Sequence, residues 1–302
     1  MTEKTAPASK GFPRRHFLKL CLGTAGVFTL GSAYTLGVEP TLVEVTRQSL
    51  KIVGLPKAFN GMRLAHITDL HRSHLVSLDY LYDCVAKVNS LHADLLLVTG
   101  DYITGRQNVS GLKRKLYGKG VEVEEFMSEC AGAIGRAKTR YGTFASLGNH
   151  DHWFNGDYVT RSLTEEGVTV LRNKNTLIEE SGQTLEIVGL GDLWTEKLDF
   201  QKAFSGTQGA FQIVLMHNPD TFEKWDRPGS HMILSGHTHG GQVNIPFFGA
   251  PIVPSKYGNK YAQGLFQKGN TRMYVNRGLG SIAPPVRFNC RPEIALIELG
   301  CA

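Results

Sequence analysis

Short apolar runs alternate with longer amphipathic stretches from Gly61 onward. "RLAHIT" (63–68) reads as a strand, and "LDYLYDCVAKVNSL" (78–91) places its apolar residues at helical spacing. "ADLLLVTG" (93–100) is a continuous apolar run closed by glycine, the mark of a buried strand. "VEEFMSECAGAIGRA" (123–137) predicts a helix, and "GTFASLG" (142–148) another strand. Strand patterns recur in "TLEIVGLG" (184–191), "FQIVLMH" (211–217), "HMILSG" (231–236), "RMYVNRGLG" (272–280) and "PEIALIEL" (292–299). Strands interleaved with helices predict an α/β domain. In such domains ligands bind beyond the carboxyl ends of the strands.

The residues just past these runs form a chemical set. Asp69 and His71 follow the first run, Asp101 the second, and Asn149, His150 and Asp151 the third. His217 follows "IVLM", and His237 and His239 follow "MILSG". Five of the eleven histidines fall at such ends, and none of the five lies in a helix pattern. Carboxylate, amide and imidazole without sulfur suit Mn, Fe or Zn. Seven candidate ligands exceed one tetrahedral ion and suit two ions sharing a carboxylate. Two such ions neutralise a phosphoryl group and bring a bound water's pKa toward about 7. A histidine outside the coordination sphere can then protonate the leaving oxygen.

Composition adds little beyond this. With 302 residues, 41% hydrophobic and 20% charged, the chain is long enough to bury a real core. The net charge of +6 suits an anionic partner, or simply solubility. Cys21, Cys84, Cys130, Cys290 and Cys301 contain no C-x-x-C pair, which disfavours a thiolate zinc site. The last four are open to two bridges or to buried free thiols.

The first forty residues read as an address. Arg14-Arg15 with Phe17, Leu18 and Lys19 resembles the twin-arginine export signal, and an uncharged run of nineteen residues follows, Leu20 to Val38. Small residues at Gly31, Ser32 and Ala33 permit cleavage there, while the run nears the length of about 20 that spans a bilayer. Either outcome implies the export machinery as a partner. It also places the protein on the outer face of the cytoplasmic membrane or in the envelope, with a membrane surface nearby. Residues 1–40 are thus signal or anchor, 41–60 a lead-in, and 61–302 the catalytic domain.

"DLH", "GD", "GNHD", a lone strand-end histidine and "GHTH" occur in that order from Asp69 to His239. This resembles the calcineurin-like metallophosphoesterase superfamily. The resemblance implies a four-layer α/β/β/α sandwich. It implies Asp69, His71 and His239 as ligands of one divalent metal ion, and Asn149, His217 and His237 as ligands of a second. Asp101 would be the bridge, His150 the catalytic histidine and Asp151 the carboxylate that orients it. Protein phosphatases of the superfamily continue Gly-Asp as G-D-x-V-D-R-G, whereas "GDYITGRQ" lacks the second Asp and the Arg-Gly, which argues against that activity. With the signal, the set resembles bacterial membrane-associated phosphodiesterases, a branch that includes enzymes similar to UDP-2,3-diacylglucosamine pyrophosphohydrolase. The expected substrate is a phosphoester, lipid-linked or from the envelope. The alternatives are a non-catalytic metal-stabilised binding module for cell-wall polymer and an exported nuclease. No nucleic-acid partner is expected, and a steep salt dependence of DNA affinity would mark one.

Several residues are decoys on this reading. His66 and His231 lie inside strand patterns and are expected to be packed, while His74 and His152 flank the motifs within possible reach of substrate. Asp192 in "GLGDLW" is expected to close a turn. "GLGSIAPPVR" (278–287) resembles the C-terminal loop of the exported members and would lie near the site, with Arg287 either on phosphate or in solvent. The basic stretch 105–120, with Lys113, Arg114, Lys115 and Lys119, is a solvated loop or a flap for anionic groups.

Overall fold

The computed structural model describes residues 29–105, 110–209 and 211–302, with Lys19 and Thr24. The paired arginines, Cys21 and residues 106–109 of the basic stretch lie outside the described residues. Among the described residues no helix is long and apolar enough to cross a membrane.

The strands are β1 (Glu44–Ile52), β2 (Met62–Ile67), β3 (Leu95–Val98), β4 (Thr143–Ala145), β5 (Thr169–Val170), β6 (Lys174–Glu180), β7 (Gln183–Gly189), β8 (Phe211–Leu215), β9 (Ser230–Ser235), β10 (Gly264–Lys268), β11 (Thr271–Val275) and β12 (Glu293–Cys301). They form two six-stranded sheets, in the orders β1-β12-β2-β3-β4-β5 and β10-β11-β9-β8-β7-β6. In the first, β2, β3, β4 and β5 are parallel, and in the second β7, β8, β9 and β11 are parallel. The lead-in segment supplies β1, which pairs parallel with β12 from Glu44↔Glu293 onward.

Both sheets are buried on both faces, which is why their central strands are continuous apolar runs. Leu64, Leu95 and Leu97 of the first sheet meet Ile187, Ile213, Leu215 and Leu234 of the second between the layers. The alternate residues Ala65, Leu96, Val98 and Ala145 face helices α1 (Leu78–Ser90), α3 (Val121–Gly135) and α5 (Gly156–Glu165). Ser77 caps α1 by accepting from Tyr80 N at 3.2 Å. The other face of the second sheet, with Val188, Val214, Ile233 and Met273, is covered by short pieces. These are the one-turn α6 (Phe200–Ala203) and 3-10 turns at Pro219–Lys224 and Gly258–Tyr261. The result is the expected four-layer α/β/β/α sandwich with a thin fourth layer. Cys84, Cys130, Cys290 and Cys301 are free thiols. The basic stretch contains helix α2 (Gly111–Tyr117).

Candidate metal centre

The carboxyl ends of β2, β3 and β4 deliver Asp69, His71, Asp101 and Asn149, and those of β8 and β9 deliver His217, His237 and His239. All seven are buried. Asp69, His71, Asp101, His237 and His239 each adopt a left-handed backbone with φ between 50° and 71°. They are five of the eleven non-glycine residues in that region among those described. Such backbone is costly and persists where the surroundings enforce it. It turns each side chain sharply off its strand toward a common point. Close approach also sets the glycine at 236: a Cβ there would overlap Asp69 Oδ2 and Thr68 Oγ1. Gly278, in the loop after β11, has φ +72 and lies against the side chain of Asp69, so that loop does approach the site.

Three groups of potential ligand atoms lie within 4.8 Å of one another: Asp69, His71 and His239; Asp101, His217 and His237; and His71, Asp101 and His150. His71 Nε2 lies 3.0 Å from His239 Nε2, and His237 Nδ1 3.2 Å from His217 Nε2. Asp101 Oδ2 is 3.3 Å from His217 Nε2 and 3.7 Å from His71 Nε2, so this carboxylate stands between the two imidazole pairs. Ligand atoms on a single ion with bonds of about 2.0–2.1 Å are themselves roughly 3.0–3.4 Å apart. Asn149 Oδ1 is buried without a hydrogen-bond partner, as expected of a group with a cation to meet. The residues therefore fit divalent metal.

The electrostatics agree. Burial holds the His71 and His237 rings down to about 3, and it lowers His239 as well. Neutral rings offer lone pairs. Burial alone would lower His217, but Asp101 and Asp69 outweigh it and raise the ring to about 10. Burial likewise pushes Asp101 up, yet His217 and His150 hold the carboxyl well below its ordinary range. His217 Nδ1 lies 2.7 Å from the Thr99 carbonyl oxygen, which fixes the proton there in a neutral ring and aims Nε2 at the cluster. His71 Nδ1 meets Thr104 Oγ1 at 2.9 Å.

The structure revises two expectations, those for His150 and Arg287. Asn149, His150 and Asp151 form the first turn of a short helix, α4 (Asn149–Phe154), so His150 does sit on a helix. The Asp151 carboxylate accepts from backbone N–H groups of Gly148 and Asp101 at 2.8 Å and of Tyr102 at 2.9 Å. It therefore clamps the β3 and β4 loops together. Arg287 is neither on phosphate nor in solvent. It is fully buried and donates to Ser281 Oγ and to the carbonyls of Arg277, Gly278, Gly280 and Cys290. His74 pairs with Glu122 at 2.7 Å. As expected, His66 and His231 are packed against Thr99 and Thr271, and Asp192 closes a turn by accepting from Trp194 N and Thr195 N.

His150 is the least buried of the set. Its N–H donates to Asp101 Oδ1 at 2.8 Å, and its ring stands edge-on to His71, centroids 4.9 Å apart. Two tryptophans complete the surroundings. Trp153 lies 4.8 Å from the His150 ring and Trp194 4.3 Å from the His237 ring, and the two face each other at 6.4 Å. Trp153, one helical turn after Asn149, was the legible signal.

A two-sheet sandwich with buried carboxylates and imidazoles at the strand ends of both sheets defines a metal-dependent hydrolase. Comparison with known proteins is more specific. Residues 62–241 match the calcineurin-like phosphoesterase family. The chain is 35% identical to the metallophosphoesterase YkuE of Bacillus subtilis, over 96% of this chain and 98% of that one. It is 31% identical to the phosphodiesterase YaeI of Escherichia coli, over 95% and 98%. It is also 30% identical to the UDP-2,3-diacylglucosamine pyrophosphatase LpxG of Chlamydia trachomatis, over 86% and 90%. The chain belongs to the calcineurin-like phosphoesterase family.

Proposed function

We propose that the protein hydrolyses a phosphodiester or pyrophosphate bond in a lipid-linked envelope substrate at a centre of two divalent ions. The observation that carries this reading is the position of Asp101 between the two imidazole pairs. Asp69, His71 and His239 would hold one ion, Asn149, His217 and His237 the other, with Asp101 common to both. The oxygen and nitrogen donors suit Mn, Zn or Fe. When bound, two such ions neutralise the phosphoryl oxygens and supply hydroxide at neutral pH. The chain's own groups do the rest. His150, on the open side, holds a proton for the leaving oxygen. Asp151 fixes the loops that carry Asp101 and Asn149. Trp153 and Trp194 flank that side. The named activities of YaeI and LpxG support a diester or pyrophosphate over a monoester. The uncharged run after the paired arginines supports work outside the cytoplasmic membrane, which fractionation of cells expressing the tagged full chain tests.

The activity test uses metal-loaded full chain with p-nitrophenyl phosphate and bis-p-nitrophenyl phosphate. Turnover of the diester in preference to the monoester is expected. Stoichiometric metal with no turnover of either would leave a binding module instead.

A further inference from the structure

A cavity of about 280 Å³ opens beside the centre, with His239 in its wall. Its lining is apolar: Val243, Ile252, Pro254, Ile282, Pro284 and Val286. That volume falls just below the range of whole ligand pockets, roughly 300–1,000 Å³, so it fits a part of a ligand. Nothing in the proposed chemistry uses it.

One wall of the cavity continues outward into an exposed tip. Ile245 and Gly249 close a tight turn with two backbone bonds of 2.9 Å, and the turn projects Phe247 and Phe248. Phe247 is fully exposed and Phe248 84% exposed. Phe247 has φ 70°, which is strained for a bulky side chain. Holding two phenylalanines in water at a conformational cost calls for something apolar to receive them. The other wall, 282–288, gathers the remaining pieces. Phe288 bonds to Asn244 and Gln242 beneath the tip. Arg287 N donates to Thr35 O at 3.0 Å, which seats the end of the uncharged run here, with Leu30, Leu36 and Val38 exposed. Ala283 N donates to Tyr117 Oη at 2.8 Å, which brings α2 with its exposed Leu112, Lys113, Arg114 and Lys115.

Resting on the reading of the centre as a diesterase for lipid-linked substrate, we infer that this cavity is the subsite for the substrate's acyl chain, entered from a bilayer surface on which Phe247 and Phe248 sit. Exposed aromatic and aliphatic groups beside the exposed Lys113, Arg114 and Lys115 match an anionic lipid leaflet. The cavity's place at His239 sets the lipid half of the substrate there. The headgroup half then points to His150 and the tryptophans.

The test compares bis-p-nitrophenyl phosphate with a dioleoylglycerol p-nitrophenyl phosphodiester, which has the same leaving group and adds acyl chains. The second ester is presented in phosphatidylglycerol–phosphatidylethanolamine vesicles and, separately, in detergent. Full-chain wild type should prefer the acyl ester by about tenfold or more in kcat/KM. Ile252→Glu should abolish that preference in both presentations. The double variant Phe247→Ser, Phe248→Ser should lose it on vesicles alone. Both variants should turn over bis-p-nitrophenyl phosphate like wild type. If wild type cleaves both esters equally, or if Ile252→Glu keeps the preference, the subsite is overturned and the diesterase reading stands. If metal-loaded wild type cleaves neither, the diesterase reading falls, and the subsite falls with it.

Discussion

Gly278→Ala sets one methyl group against the side chain of Asp69. The new Cβ would lie 2.7 Å from Asp69 Cβ. Carbon atoms rest at about 3.5–4.0 Å, so the two must part by roughly 1 Å. Asp69 cannot yield freely, because its oxygens accept from His237 N at 3.1 and 2.9 Å. Its carbonyl is also held by Gly280 N at 2.7 Å. The push therefore reaches the "GHTH" loop. A displacement of about 1 Å at a reacting centre costs on the order of 100-fold in rate. Overpacking adds about 1–3 kcal/mol of instability. The left-handed backbone, φ +72, adds about 1–2 more for any residue with a Cβ. With about 2–4 °C per kcal/mol for a domain of this size, the melting midpoint should fall by roughly 4–20 °C. Metal content by elemental analysis, kcat on bis-p-nitrophenyl phosphate and calorimetry read the three effects. Gly132→Ala is the control, since it lies inside α3 with nothing within 4 Å of its Cβ and should be neutral or stabilising. Wild-type metal content and rate in Gly278→Ala would refute the close packing of the loop on Asp69.

His150→Ala should keep metal content near wild type while kcat falls by about 10²–10⁴-fold; loss of an ion instead would make His150 a ligand, as its grouping with His71 and Asp101 allows. Asp101→Ala should empty at least one site, which elemental analysis checks, and full occupancy would sink the bridging role. Protein stripped with EDTA should lose stability with rising pH. The folded value of His217, about 10, lies above the ordinary 6.5, so its contribution is full below pH 6.5 and gone above 10. Thermal midpoints from pH 6 to 10 should show this slope in stripped protein, and a flat profile would contradict the His217–Asp101 pairing.

The eight strands foreseen from apolar runs are the eight interior strands of the two sheets. The four that were not foreseen, β1, β5, β6 and β10, are the four sheet edges. An edge strand is paired on one side only and keeps more of its surface in water. "EVTRQSLKI" therefore reads as polar alternation with few buried positions, although it pairs along its whole length with β12. The candidate ligand residues were legible because each follows the end of an interior strand. The three partners of Asp151 were not, because they are backbone groups brought together only in the fold. Arg287 was misread for the same reason. Its acceptors are mostly loop carbonyls, and carbonyls leave no trace in a sequence.

Asp69 and His71 come from the first sheet and His239 from the second; Asp101 comes from the first, and His217 and His237 from the second. The cluster is thus a joint between two halves that also meet through Leu64, Leu97, Leu215 and their neighbours. If these residues hold the metal as proposed, its affinity would depend on how far apart the sheets stand. A methylene removed at Leu97 or Leu215 would alter that gap without touching a ligand. Selection on catalysis would in this way reach deep into the hydrophobic layer, holding its thickness fixed for the sake of the ions at its rim.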